Sequence, residues 1–127
     1  MIFIVQLFRF SAAGVVMLML PLFGHEPKGN KTITITGEVV GLACYLGHDS
    51  HGKSHTECAV QCAKAGVPLV ILDNDSKTLY LPLSGHQGAN EKLLPYAEKT
   101  VRVTGKLINK NAMKAITIEN IEAVDSE

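Results

Sequence analysis

Two stretches of this chain share one device, an alternating run broken by a single glycine, and nothing else in the sequence limits the fold as much. Thr32-Ile33-Thr34-Ile35-Thr36 alternates with a period of two, the pattern of a strand with one buried face. Gly37 interrupts the run, and Glu38 to Cys44 resumes it. Near the other end, Thr100 to Ile108 does the same around Gly105, so that Thr34-Ile35-Thr36-Gly37-Glu38-Val39 is echoed by Arg102-Val103-Thr104-Gly105-Lys106-Leu107. A glycine at matching points of two long strands suits a bulge or bend where a small barrel turns a corner.

The segments between fit the same plan. Gly47 to Lys53 reads as a polar loop. Ser54 precedes Glu57 by three residues, the spacing of a capping box, and opens a short helix from about His55 to Ala65. Gly66 closes that helix and Pro68 forbids its continuation. Leu69–Leu72 and Thr78–Leu81 form a hairpin across the turn residues Asp73-Asn74-Asp75-Ser76. Ser84–Ala89 is a loop. Asn90 caps a second short helix through Ala97, made irregular by Pro95. After the Thr100–Ile108 strand and an Asn109-Lys110-Asn111 turn, Met113–Ile121 alternates again, with Ala115, Thr117 and Glu119 on one face and Ile116 and Ile118 on the other. The expected fold is mainly β: a small five-stranded barrel over residues 32–124, with a short helix after the first strand and a second short helix later.

With 127 residues the chain has room for one domain. Residues 1–24 read as a signal peptide or N-terminal anchor: Arg9 precedes an apolar run from Phe10 to Phe23, too short for a comfortable membrane span and carrying Pro21 near its end. Leu22-Phe23-Gly24 offers only Gly24 as a small residue for cleavage, and the absence of a cysteine there argues against a lipid anchor. Residues 25–31 form a linker. The expected location is periplasmic or secreted; an uncleaved segment would instead anchor the domain to the membrane, facing the periplasm. Formal net charge is zero, aromatic residues make up 6% and tryptophan is absent, which argues against a nucleic-acid partner. A protein partner is compatible with these features.

The chemistry-bearing residues are concentrated. All three cysteines and three of the five histidines lie between Cys44 and Cys62: Cys44, His48, His51, His55, Cys58 and Cys62. On a helix, His55, Cys58 and Cys62 share one stripe. Cys44, at the end of the preceding strand, can be brought over that stripe by the loop. The candidate metal ligands are therefore Cys44, His55, Cys58 and Cys62, three thiolates and an imidazole in a set suited to a transition metal ion, zinc first and iron or copper(I) after it. His48 and His51 are alternates to His55. The start of the helix would favour thiolates by lowering thiol pKa. The spacing is neither the C-x2-C of zinc ribbons nor a haem attachment site.

Other readings of the cluster stay open. In an oxidising compartment Cys44 could bridge to Cys58 or Cys62, leaving one thiol over and the histidines solvated. A Cys58–Cys62 bridge is disfavoured by side-chain direction across a helical turn. The domain could then be a thiol-redox protein or a disulfide-stapled interaction domain. No catalytic residue is assigned. His86 reads as a loop residue and His25 as part of the linker. Tyr45 is expected to pack over the cluster, Lys110 and Lys114 to solubilise a hairpin tip, and Asp49, Asp73 and Asp75 to serve turns. Asp73-Asn74-Asp75 lacks the glycine and terminal glutamate of a calcium loop. There is no Ser/His/Asp set, phosphate-binding glycine loop or carboxylate pair.

The frame Thr36-Gly37-Glu38-Val39-Val40 with Val101-Arg102-Val103-Thr104-Gly105-Lys106-Leu107 resembles exported bacterial OB-fold proteins. The middle segment, ACYLGH-x6-H-x2-C-x3-C-AKAGVPL from Ala43 to Leu69, is similar to a group of poorly characterised exported proteins of this kind. The likeness covers about residues 31–122 and implies an OB-like barrel and an exported location. It implies no activity, and the helix between the first two strands departs from the simplest OB arrangement.

Overall fold

The computed structural model describes residues 31–125; residues 1–24, expected to be a signal peptide or anchor, and all of the expected linker but Lys31 lie outside them. The elements run β1 (Thr32–Gly41), α1 (Leu42–His48), α2 (Thr56–Lys64), β2 (Leu69–Asp73), β3 (Leu79–Ser84), β4 (Gln87–Gly88), α3 (Asn90–Leu93), β5 (Thr100–Lys110) and β6 (Met113–Ala123), with 3-10 turns at Lys53–His55 and Leu94–Tyr96. The fold is mainly β. The six strands form one sheet in the order β2-β1-β5-β6-β3-β4, and a further β2–β3 pairing joins five of them into a ring. All pairings are antiparallel except β3 with β6.

The two glycines sit where the ring bends. β1 pairs with β5 through residues 32–38 and with β2 through residues 37–41, so it passes from one neighbour to the other at Gly37 and Glu38. A Cβ on Gly37 would stand 2.3 Å from the Leu72 carbonyl oxygen, an approach that a side chain forbids. At the second glycine the β5–β6 register slips: Thr104 pairs with Asn120 and Gly105 with Ile118, leaving Glu119 as the extra residue of a bulge.

The core follows from these strands. Ile35, Val39, Ile71, Val101, Val103 and Ile116 fill the ring with Leu93 from α3 and Ala63 from α2. Outside the ring, Val40, Val70 and Leu72 form a second cluster on the far face of β1 and β2, covered by Leu42 and Tyr45 of α1.

Several expectations are corrected in detail. The extended pattern does not reach Cys44: β1 ends at Gly41 and residues 42–48 are helical. The reason is spacing, since Leu42 and Tyr45 are three apart, meet on one helical face and cover the outer cluster. The Ser54–Glu57 capping box does not form. His55 holds the N-cap position without a side-chain cap, Lys53–His55 is a 3-10 turn, and Thr56 Oγ1 donates to the Lys53 carbonyl at 2.8 Å. The far end of α2 behaves as expected, with Gly66 at φ 101°. Asn90 caps nothing. Its Oδ1 accepts from the Leu69 N–H at 2.8 Å, and its Nδ2 donates to the Val67 and Ala63 carbonyls at 2.9 and 3.2 Å. On β6, Ala115 is buried as well as Ile116 and Ile118, so both faces of this stretch are covered.

Candidate metal centre

The centre is built on the insertion between β1 and β2. α1 starts where Leu42 N–H donates to the Pro68 carbonyl at 3.0 Å, which ties its first turn to the segment leaving α2. It ends at Asp49, whose left-handed backbone (φ 51°) turns its amide back to the Tyr45 carbonyl at 2.9 Å. Cys44 thus stands in the first turn of a helix rather than at a strand end. α2 buries Ala59 and Ala63, one helical turn apart. These small residues face the ring, and Cys58 and Cys62, each one position earlier, form the neighbouring stripe.

Cys44, His55 and Cys58 come together, with one ligand atom from each lying within 4.8 Å of the other two. That is close enough to hold a metal ion. Cys62 lies close enough to Cys44 to affect its thiol, so the three cysteines are near one another, but Cys62 is not part of the Cys44–His55–Cys58 group. All three cysteines are free; Cys44 and Cys62 are half-buried and Cys58 is exposed. Burial pushes the Cys44 thiol up, and the neighbouring Cys62 and Cys58 add to the rise.

The histidines divide by their carboxylate partners. His55 Nδ1 lies 3.2 Å from Glu98 Oε1. Glu98 Oε2 accepts the Gly52 N–H at 2.7 Å. His51 Nδ1 lies 2.8 Å from Glu38 Oε2 and makes an edge-on contact with the Tyr45 ring at 5.5 Å between centroids. His51 and the exposed His48 stand outside the Cys44–His55–Cys58 group, so His55 is the histidine brought to the cysteines. Tyr45 packs on the outer cluster of Val40, Val70 and Leu72 and on His51.

Of the remaining residues, His86 is exposed in the turn between β3 and β4, as expected of a loop position. Lys110 is exposed beside its hairpin, while Lys114 Nζ sits 5.9 Å from the centroid of the Tyr80 ring, a cation–π contact rather than simple solvation. Asp73 serves its turn, with Oδ2 accepting from the Ser76 hydroxyl and from the Ser76 N–H at 3.2 Å.

Sequence reasoning missed both carboxylates. Glu98 lies between a short helix and a strand, and Glu38 in an alternating strand, where an acidic residue ordinarily faces water. Only the spatial pairing with a histidine from the loop distinguishes them. No protein-family model, curated protein or solved structure matches the chain.

Proposed function

We propose that this is an exported metal-binding module: an OB-like barrel whose β1–β2 insertion holds a zinc ion through Cys44, His55, Cys58 and Cys62. The convergence of two thiols and an imidazole within 4.8 Å carries the reading. The chemistry of the donors supports it. Gathered thiolates repel one another, and a cation turns that repulsion into coordination. Four protein ligands would close the site and make the ion structural, whereas three would leave a position open for an outside ligand. The half-buried Cys62 beside Cys44 favours the closed form.

The barrel reading rests on the ring of five strands, its single parallel pair and the helix that fills it between β3 and β5. Export rests on the N-terminal pattern of residues 1–24, and the periplasm or exterior is the proposed location. Neutral charge leaves nucleic acid out of the reading and a protein as the compatible kind of partner.

Metal content by mass spectrometry, with a free-thiol count on the protein recovered from an oxidising compartment, tests the proposal. About one metal per chain is expected from the single ligand group, with thiols that react only after chelation and denaturation. Cys62→Ser should weaken or abolish binding. A metal-free protein with one reactive thiol would sink the proposal. It would favour the second reading, a thiol-redox or disulfide-stapled domain, for which the nearness of the three free cysteines is the specific observation.

A further inference from the structure

Glu98 is the one charged residue buried among the described residues, and its side chain is 0% exposed. Burying a carboxylate is costly without a compensating cation, and here no lysine or arginine among the described residues pairs with it. Its backbone is strained as well, at φ 59° in the left-handed region that a residue with a Cβ enters at a cost. The surrounding fold enforces this placement: Glu98 N–H donates to the Val39 carbonyl at 2.7 Å, and Val39 N–H donates to the Lys99 carbonyl at 3.0 Å. Both carboxylate oxygens are engaged, one by Gly52 N–H and the other by His55 Nδ1. Gly52 has φ 100°, so the loop entering α2 is itself set by a glycine-only conformation that Glu98 clamps.

We propose that Glu98 is the positioning residue of the Cys/His centre: it takes the Nδ1–H of His55 and thereby leaves the Nε2 lone pair free for the metal ion shared with the cysteines. The inference rests on the metal-binding reading and goes one layer outward from it. A metal-bound imidazole commonly gives its other N–H to a carboxylate, which fixes tautomer and ring orientation and raises the basicity of the ligating nitrogen. The positive charge that the buried acid lacks is then the ion, transmitted through the ring. His51 shows that the pairing alone is insufficient. It has the same Nδ1–carboxylate contact with Glu38, but its side chain is 38% exposed and it stands outside the ligand group.

The test compares the full chain with Glu98→Gln, using cobalt(II) as the spectroscopic probe and zinc competition for affinity. Glutamine keeps the shape but cannot serve both neighbours: if its oxygen accepts from His55, its amide N–H2 faces the Gly52 N–H. The expected result is a tetrahedral thiolate–imidazole cobalt spectrum in both proteins, with affinity about 10- to 100-fold weaker in the variant. A wild type that binds cobalt and a variant that binds it equally tightly would overturn the role of Glu98 alone. A wild type that binds no cobalt or zinc would overturn the metal centre itself. Nitrogen-15 NMR of the metal-free wild type needs no variant to fold. His55 is expected as the Nδ1–H tautomer, and a proton found on Nε2 with Nδ1 bare would overturn the positioning role whatever the metal result.

Discussion

A Cβ placed on Gly105 would fall 2.1 Å from the carbonyl oxygen of Thr117, a backbone atom that cannot swing aside. The same holds at Gly37 against Leu72 at 2.3 Å. Gly105→Ala and Gly37→Ala are therefore expected to destabilise the domain by about 1–3 kcal/mol or more, as overpacking of a closed ring does. Gly47 is the control. It lies exposed inside α1 with nothing within 4 Å of a built Cβ, so Gly47→Ala is expected to stabilise by about 0.5–1 kcal/mol. Urea unfolding of the three variants checks the ordering. Equal effects at all three positions would show that the close approaches do not matter.

Asn90 joins three segments through one amide, holding Leu69 of β2 and the carbonyls of Ala63 and Val67 at the end of α2. Asn90→Ala leaves these groups without their partner, and a loss of about 2–4 kcal/mol is expected from the unpaired backbone groups. Asn90→Asp should do no better, because it keeps the acceptor for Leu69 but sets an acceptor against two carbonyls. Thermal or urea unfolding gives the comparison, and a well-tolerated aspartate would disprove the assignment of the amide's two ends.

The β5–β6 hairpin turns on two residues, Asn111 and Ala112, both at positive φ (50° and 64°). That is the geometry for which Asn-Gly is the favoured pair. Relief of left-handed strain exceeds the added freedom of the unfolded chain, so Ala112→Gly should stabilise by about 0.5–1 kcal/mol. A lower melting temperature for the variant would contradict this.

These residues also show what the sequence made legible. Alternation around Gly37 and Gly105 revealed the two bent strands, because a period of two and a conformationally special residue are both local signals. Met113–Ile121 was read as one continuous alternation, yet Ile121 packs on the core together with Ile118, three residues earlier. The bulge at Glu119 shifts the face, and a register slip is a property of two strands together. At the candidate centre, clustering along the chain was enough to select Cys44, His55, Cys58 and Cys62, of which the first three form the group that could hold an ion. It could not find Glu98, which is 43 residues from His55 and is brought to it by the ring. α1 was missed because Val39-Val40-Gly41-Leu42 reads as extended, and only the packing of Leu42 and Tyr45 on the outer cluster makes it helical.

The Asp73 carboxyl is held below its ordinary range, chiefly by the Ser76 hydroxyl that donates to it. A lowered folded-state pKa means that the unfolded chain binds more protons in the window between the two values. The contribution to stability is therefore present above about pH 4, the ordinary carboxyl value, and is lost as pH falls through the lower folded value. Ser76→Ala should raise the Asp73 midpoint toward the ordinary value in an NMR titration and reduce the steepness of acid destabilisation. An unchanged midpoint would remove the hydroxyl as the cause.

Removal of the proposed metal ion is expected to loosen one part of the molecule and spare the rest. α1 buries no residue fully, and α2 buries only Ala59 and Ala63, so little apolar contact holds residues 42–64 to the ring. The ring has its own continuous ladder through β1, β5 and β6 and its own core. An ion bridging Cys44 on α1 to Cys58 on α2 would link the two weakly held helices. At a free zinc concentration one hundred times its Kd, such linkage protects the bound state by about 2.7 kcal/mol, or about a hundredfold in the exchange of amides that open only when the ion leaves. Hydrogen exchange with and without a chelator is the measurement. Exchange should accelerate in residues 42–64 while β1, β5 and β6 keep their protection. Equal acceleration throughout would mean that the ion supports the whole fold, and no change anywhere would mean that none had been bound.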